Sequence, residues 1–324
     1  MMAPIQPSVG VLLPPVLISF VALVLGLIAL LAGTGPQQES LEPYHIVAIN
    51  LSNFGQNLVP SPTKSSPKPS KTGSLFDQIV DDAHGLGQDI SDGVNNITNQ
   101  IADQITKELG ISQWYSLHVM TACEGMFAPN ASSPSAWYNL TKCTAQKTGL
   151  KLNLSEILDH EIQAGPLNLN LNQLPVPDSV QNAVDIINDA LFTLLVVYAL
   201  GSGLAGLCFL SSLAALILCR NKVTKLVVWA NASVAGLDAI ILLIGSAIVT
   251  YVNDKGVKQI NDAGKDVGIS GIRGAKMITL SWITFALMLI TSIYWGLATL
   301  KYMQRWIIIT DNSRQRGGEK TLPC

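Results

Sequence analysis

Few side chains in this 324-residue chain are of a kind that does chemistry, and their spacing sorts them quickly. Cys123 and Cys143, about 20 residues apart, are placed to close a disulfide loop. Asn50, Asn96, Asn130, Asn139 and Asn153 each open an N-x-S/T triplet, the acceptor pattern for N-glycosylation. Asp238 stands alone inside an apolar run, where a charged carboxylate costs about 2.5 to 3.5 kcal/mol on insertion scales. Cys219 ends another apolar run directly before Arg220, a position open to reversible S-palmitoylation or to an unmodified interfacial thiol. The histidines His45, His84, His118 and His160 have no metal-ligand spacing with one another. His160 is flanked by Asp159 and Glu161, but consecutive helical residues point apart. His118 reads as a packed loop residue rather than a pH switch. No nucleophile elbow, phosphate loop, zinc motif or nucleic-acid patch occurs. The expectation is therefore a nonenzymatic protein with no cofactor, no metal and no nucleic-acid partner.

The elements that position these residues follow from composition. The chain is 48% hydrophobic and 13% charged, against roughly 25% charged in a soluble domain, which points to lipid as the solvent. Four runs are long and apolar enough to cross about 30 Å of hydrocarbon as helices: 14–33, 190–219, 226–252 and 278–300. Pro14 and Pro15 open the first run, fitting a first helical turn where missing N–H groups are harmless. No Lys or Arg precedes Lys64, and Leu30 and Leu31 occupy positions that a cleavage site would keep small, so the first run reads as an uncleaved anchor.

Orientation follows from the loops. The 220–225 loop carries Arg220, Lys222 and Lys225, and the 301–324 tail carries Lys301, Arg305, Arg314, Arg316 and Lys320. These short basic segments belong in the cytoplasm. The 253–277 loop also holds Lys and Arg, and the clustering of all five glycosylation patterns between spans one and two breaks that near-tie. A sixth, at Asn231, lies within span three, where an oligosaccharide cannot be added. Both termini, including residues 1–13, are then cytoplasmic, and the 34–189 and 253–277 loops are extracellular.

The long outer loop has three parts. Residues 56–74, rich in Pro, Ser and Lys, cannot bury enough surface to order and read as a flexible linker suited to O-glycosylation. Within 75–109 the apolar residues Ile79, Ala83, Leu86, Ile90, Val94, Ile97, Ile101 and Ile105 follow an 11-residue repeat, the pattern of a nearly straight amphipathic helix reaching about 40 Å. Its polar face is acidic, which argues for packing on the loop or on a second copy rather than on an anionic membrane surface. Segment 110–165 contains "WYSLHVMTACEGMF", with the aromatics expected to pack around a Cys123–Cys143 bond formed in an oxidising compartment.

The residues of "GISQWYSLHVMTACEGMF", then Cys143, "LSEILDHEI" and a second span opening "LFTLLVVYALGSG" resemble the fungal Sur-seven/PalI family of four-span plasma-membrane proteins. In the wide sense the arrangement is similar to claudins, where an aromatic residue and two cysteines brace the first outer loop. Trp114, Tyr115, His118 and Gly125 are the loop-motif positions here, although the claudin Gly-Leu-Trp block is absent. The resemblance implies an all-α membrane protein, a four-helix transmembrane bundle with a large disulfide-braced extracellular loop between helices one and two. It further implies a role in static, eisosome-associated domains of the plasma membrane, with links to membrane organisation, cell-wall integrity and endocytosis. Partners would be membrane lipids and other plasma-membrane domain proteins. A second branch, PalI, implies an accessory of an ambient-pH sensing receptor. PalI proteins carry a long cytoplasmic tail, whereas 24 residues follow Leu300, which directs the expectation to the scaffold branch. A small transporter or channel is the third reading.

Inside the spans, Asp238 is expected to be hydrogen-bonded or protonated, with Asn231, Ser281 or Thr284 as partners. Small residues at i, i+4 spacing (Gly201 and Ala205, Ser202 and Gly206, Ala232 and Gly236) allow close helix approach. Packing within one bundle is the expected use of these faces, and homo-oligomer formation is the alternative.

Overall fold

A computed structural model describes residues 9–34, 39–53, 112–128, 137–144, 178–218, 225–265 and 268–318. The linker 56–74, the amphipathic helix expected over 75–109, Asn96, Asn130, Asn153 and Cys219 lie outside the described residues.

Five α-helices and one 3-10 helix occur among the described residues. They are α1 (Val9–Leu31), α2 (Asp178–Leu218), α3 (Lys225–Tyr251), α4 (Val257–Gly264) and α5 (Ala275–Gly318), with a 3-10 helix at Glu39–Tyr44. A π-helical turn, Val252–Gly256, joins α3 to α4. Among the described residues, four stretches are long and apolar enough to cross a membrane: Leu12–Leu31, Asp185–Ile217, Leu226–Gly264 and Ala275–Lys301. The prolines differ from expectation. The first helix begins at Val9, so Pro14 and Pro15 lie in its second turn, where they remove the bonds to the Gly10 and Val11 carbonyls. Ser19 Oγ donates back to Pro15 O at 2.6 Å. Helix α5 has 44 residues and runs about 66 Å, continuing past the apolar window rather than ending at Leu300.

The expectation of an all-α protein needs correction. A five-stranded antiparallel sheet, ordered β4-β3-β2-β1-β5, caps one end of the bundle. Its strands are β1 (Val47–Asn50), β2 (Trp114–Leu117), β3 (Ala122–Ala128), β4 (Trp137–Cys143) and β5 (Ser270–Arg273). Strand β1 lies between β2 and β5, pairing Val47 with Leu117 on one side and Arg273 on the other. Four strands come from the loop between α1 and α2 and the fifth from the loop between α3 and α5, so both loops share one sheet. Polar backbone exposed in those loops is thereby satisfied, as burial against the bundle requires. Ile46, Ile49, Leu51 and Leu117 are fully buried there and continue the core formed by Leu194, Tyr198, Leu242 and Met288 of the helices.

The small residues pack inside the bundle. A Cβ on Gly26 of α1 would come within 2.8 Å of Ser202 Oγ on α2, and one on Gly201 would meet Leu242 of α3 at 2.8 Å. Gly206 faces Leu23, and Gly236 faces Ser292. These approaches bring backbones close enough for dispersion to hold helices together in lipid, where no hydrophobic drive separates them from the solvent.

Candidate functional site

The residues of chemical interest gather where α1 leaves the bundle and meets the sheet. Two residues past the end of helix α1, Gly33 has a φ of 75°, the left-handed conformation that glycine adopts without strain. The same glycine leaves room for its neighbour, because a Cβ there would strike the His118 ring and Thr121 Oγ1. His118 and Thr121 bracket the tight turn between β2 and β3, with His118 N donating to Thr121 O at 2.9 Å. Thr121 Oγ1 donates to Gly33 O at 2.8 Å, and Cys123 Sγ lies 3.6 Å from that carbonyl.

Cys123 and Cys143 are cross-strand partners in β3 and β4 and are joined by a disulfide. The expected loop brace is therefore a staple between two sheet strands. The aromatics pack on one another. Trp114 stands opposite Gly125, and its ring meets Tyr138 edge-on at 5.1 Å; Tyr138 also contacts Phe127 at 5.5 Å and His45 at 5.9 Å. Tyr138 is thus the hub of the aromatic cluster, a residue that sequence reasoning did not single out. Tyr115 is buried in β2 opposite Glu124.

Behind this turn sits a buried polar cluster. His45 Nδ1 lies 3.0 Å from the Glu42 carbonyl oxygen; a carbonyl only accepts, so Nδ1 carries the proton and Nε2 is left with a lone pair. Glu42 Oε2 and His118 Nε2 are 3.8 Å apart, within ion-pair range but too far for a hydrogen bond. Glu42 Oε1, His45 Nε2 and both ring nitrogens of His118 have no hydrogen-bond partner among the described residues. Burial sets their protonation: it pushes the Glu42 carboxyl up to about 7 and the His118 imidazole down to about 3, with His45 adding to the latter. His45 is lowered and Tyr138 raised for the same reason. The distance suggests a salt bridge, yet burial favours the neutral form of both partners, and the neutral pair is the better description.

Glu42, His118 and Cys123 each present one metal-ligand atom, all within 4.8 Å of one another. Sequence reasoning missed this grouping because it compared each histidine only with other histidines and with its chain neighbours, and because Glu42 and His118 lie 76 positions apart.

The other singled-out positions are apart from this cluster. Asn50 is half-buried in β1, where Oδ1 accepts from Ser52 N at 2.8 Å, while Asn139 is exposed on the edge strand β4. Asp238 is fully buried midway along α3 and neither oxygen has a hydrogen-bond partner among the described residues. Its expected partners are engaged elsewhere. Asn231 Oδ1 accepts from Ser211 at 2.7 Å and Ser212 at 3.2 Å, Ser281 donates to Ser246 at 2.7 Å, and Thr284 donates to the Leu280 carbonyl at 2.8 Å.

Four apolar helices joined by loops that build a sheet, with a disulfide inside that sheet, define a multi-pass membrane protein. The chain belongs to the SUR7/PalI family, whose model matches residues 11–294. Neither a curated protein nor a solved structure matches it.

Proposed function

We propose that this chain is a nonenzymatic organiser of a static plasma-membrane domain of the eisosome-associated type, acting in membrane organisation with links to cell-wall integrity and endocytosis. The observation that carries the reading is the sheet. By drawing strands from both loops onto one bundle end, it joins them in a single hydrogen-bonded cap, and one defined shape is what a lateral array needs to repeat. Lipid-facing residues such as Phe192, Leu207, Ile240 and Ile293 are exposed and apolar, as a bilayer partner requires. The disulfide and the exposed Asn139 of β4 support placing the sheet outside the cell, with both termini cytoplasmic. The test is photobleaching of a fluorescently tagged copy in a fungal cell. Slowly recovering surface patches that disperse in Cys123→Ser support the reading; rapid, uniform recovery rejects it.

One observation favours a second reading, an accessory of an ambient-pH sensing receptor. Glu42 has its carboxyl pushed to about 7, so it changes charge near neutrality. Stable co-isolation with one multi-span receptor, lost in Glu42→Gln, would replace the organiser with the accessory.

A further inference from the structure

We propose that Glu42, His118 and Cys123 form a latent site for a zinc-class divalent cation, held closed while Cys123 is bonded to Cys143 and completed when that disulfide is reduced. The three ligand atoms come from the 3-10 helix, the β2–β3 turn and β3, and they lie within 4.8 Å of one another. Carboxylate, imidazole and thiolate at bond lengths of about 2.0 to 2.3 Å around a tetrahedral ion stand about 3.3 to 3.8 Å apart. Glu42 Oε2 and His118 Nε2 are already separated by 3.8 Å. The widest pair therefore needs a contraction of up to about 1.5 Å, and the Glu42–His118 pair of about 0.5 Å at most.

Two further observations point to a ligand. Neither ring nitrogen of the fully buried His118 has a hydrogen-bond partner among the described residues, nor does Glu42 Oε1. Unpaired buried polar atoms are costly, and coordination is one of the few ways to satisfy a lone pair without a donor. Charge fits as well. A divalent cation with one thiolate, one carboxylate and one neutral imidazole is electrically neutral, which suits a site closed to water. Three protein donors, with water in the fourth position, is an arrangement zinc adopts elsewhere.

The disulfide makes the site conditional. A disulfide sulfur carries no negative charge and is a poor ligand, so the oxidised chain offers two donors. Reduction by an external dithiol moves two electrons and two protons to the Cys123–Cys143 bond, and the dithiol becomes a disulfide. The sulfur–sulfur bond breaks and two thiols form. The cation then displaces the proton of Cys123 to solvent as its bond to Sγ forms.

The two cysteines are consequently unequal, and that asymmetry is the test. Full-length protein in detergent is stripped with chelator and titrated with Co2+, whose thiolate charge-transfer absorption reports a sulfur ligand, and with Zn2+ counted by elemental analysis. Cys143→Ser, which frees Cys123 without reductant, should bind one equivalent with a thiolate band. Cys123→Ser, which loses the same disulfide, should bind at least tenfold more weakly and show no band. Adding Glu42→Gln or His118→Asn to Cys143→Ser should weaken binding at least tenfold. Equal binding by the two serine variants overturns the site. If Cys143→Ser fails to fold, phosphine-reduced wild type and phosphine-reduced His118→Asn decide the matter: a thiolate band that is lost in His118→Asn supports the proposal, and a band equal in the two, or none in wild type, overturns it.

Discussion

Trp114 and Gly125 face each other across β2 and β3 so closely that the indole occupies the space a Cβ would need: such an atom would stand 2.5 Å from Trp114 Cζ2 and also strike the Asn139 carbonyl of β4. The register shift beside Glu124 and Gly125 lets β4 pass at this distance. Gly125→Ala should therefore destabilise the sheet by about 1 to 3 kcal/mol through overpacking. Thermal unfolding of the purified protein measures it. An unchanged midpoint would mean that the strands separate freely, contrary to the packing described.

Asp238 gives a prediction of opposite sign. Its carboxyl is buried without a hydrogen bond among the described residues, at the depth where a charged acid is least welcome. Asp238→Asn keeps the shape and removes the ionisable group. The variant should reach the cell surface normally and unfold at a higher temperature, by the equivalent of about 1 to 3 kcal/mol. A lower unfolding temperature would show that the acid is satisfied by a group the bundle supplies. Loss of pH signalling or transport with normal delivery would instead assign it a functional role.

The pH profile of stability should have its maximum near neutrality. For Glu42 the ordinary value is 4.5 and the folded value about 7, so the folded chain retains a proton that the unfolded chain releases between them. Its contribution is favourable below about 4.5 and is lost as pH rises through 7, amounting to about 3 kcal/mol. For His118 the ordinary value is 6.5 and the folded value about 3. Here the unfolded chain takes up the proton, so stability is present above 6.5 and is lost on acidification; His45 acts in the same direction. With chelator present, wild type should be most stable near pH 6.5 and decline on both sides. Because the Glu42 loss spans 4.5 to 7 and opposes the histidine gain, Glu42→Gln should steepen the rise between pH 4.5 and 6.5 and remove the decline between 6.5 and 7. A parallel loss on both sides would place the effect elsewhere.

Asn253 ties the end of α3 to the start of α5. Its Nδ2 donates to the Val249 carbonyl at 2.9 Å and its Oδ1 accepts from Gly274 N at 2.7 Å, both buried. Asn253→Ala leaves that N–H unpaired and should cost about 1 to 3 kcal/mol. Asn253→Asp retains the acceptor and should recover part of the loss. Hydrogen exchange at Gly274 distinguishes this from a general loosening.

The helices were legible because lipid demands long apolar runs, and Leu226 onward announces one in plain composition. The sheet was not. Its strands have four to seven residues, and β2 is buried on both faces, so Trp114 to Leu117 lacks the alternation that marks a strand. β1 pairs with residues more than 60 positions later in the chain on one edge and more than 200 later on the other, so no local pattern records either partner. The pairing of Cys123 with Cys143 followed from compartment chemistry, but the strands carrying them did not. Glu42 went unnoticed for a related reason: a lone carboxyl before Pro43 reads as a solvated loop residue until the fold brings His118 over it.

Because β1 follows α1 and β5 runs directly into α5 through Gly274, the central ladder works as a crossbar between the two halves of the chain. Turning α5 about its axis, or sliding it along α1, would have to shear the Val47–Arg273 to Asn50–Ser270 pairs all at once. A tug on the outer edge at β4 reaches the same ladder through the Cys123–Cys143 staple and two further strands. Lateral load applied outside the bilayer is thus divided between the first and last membrane helices rather than concentrated on either, and the molecule leans as one piece.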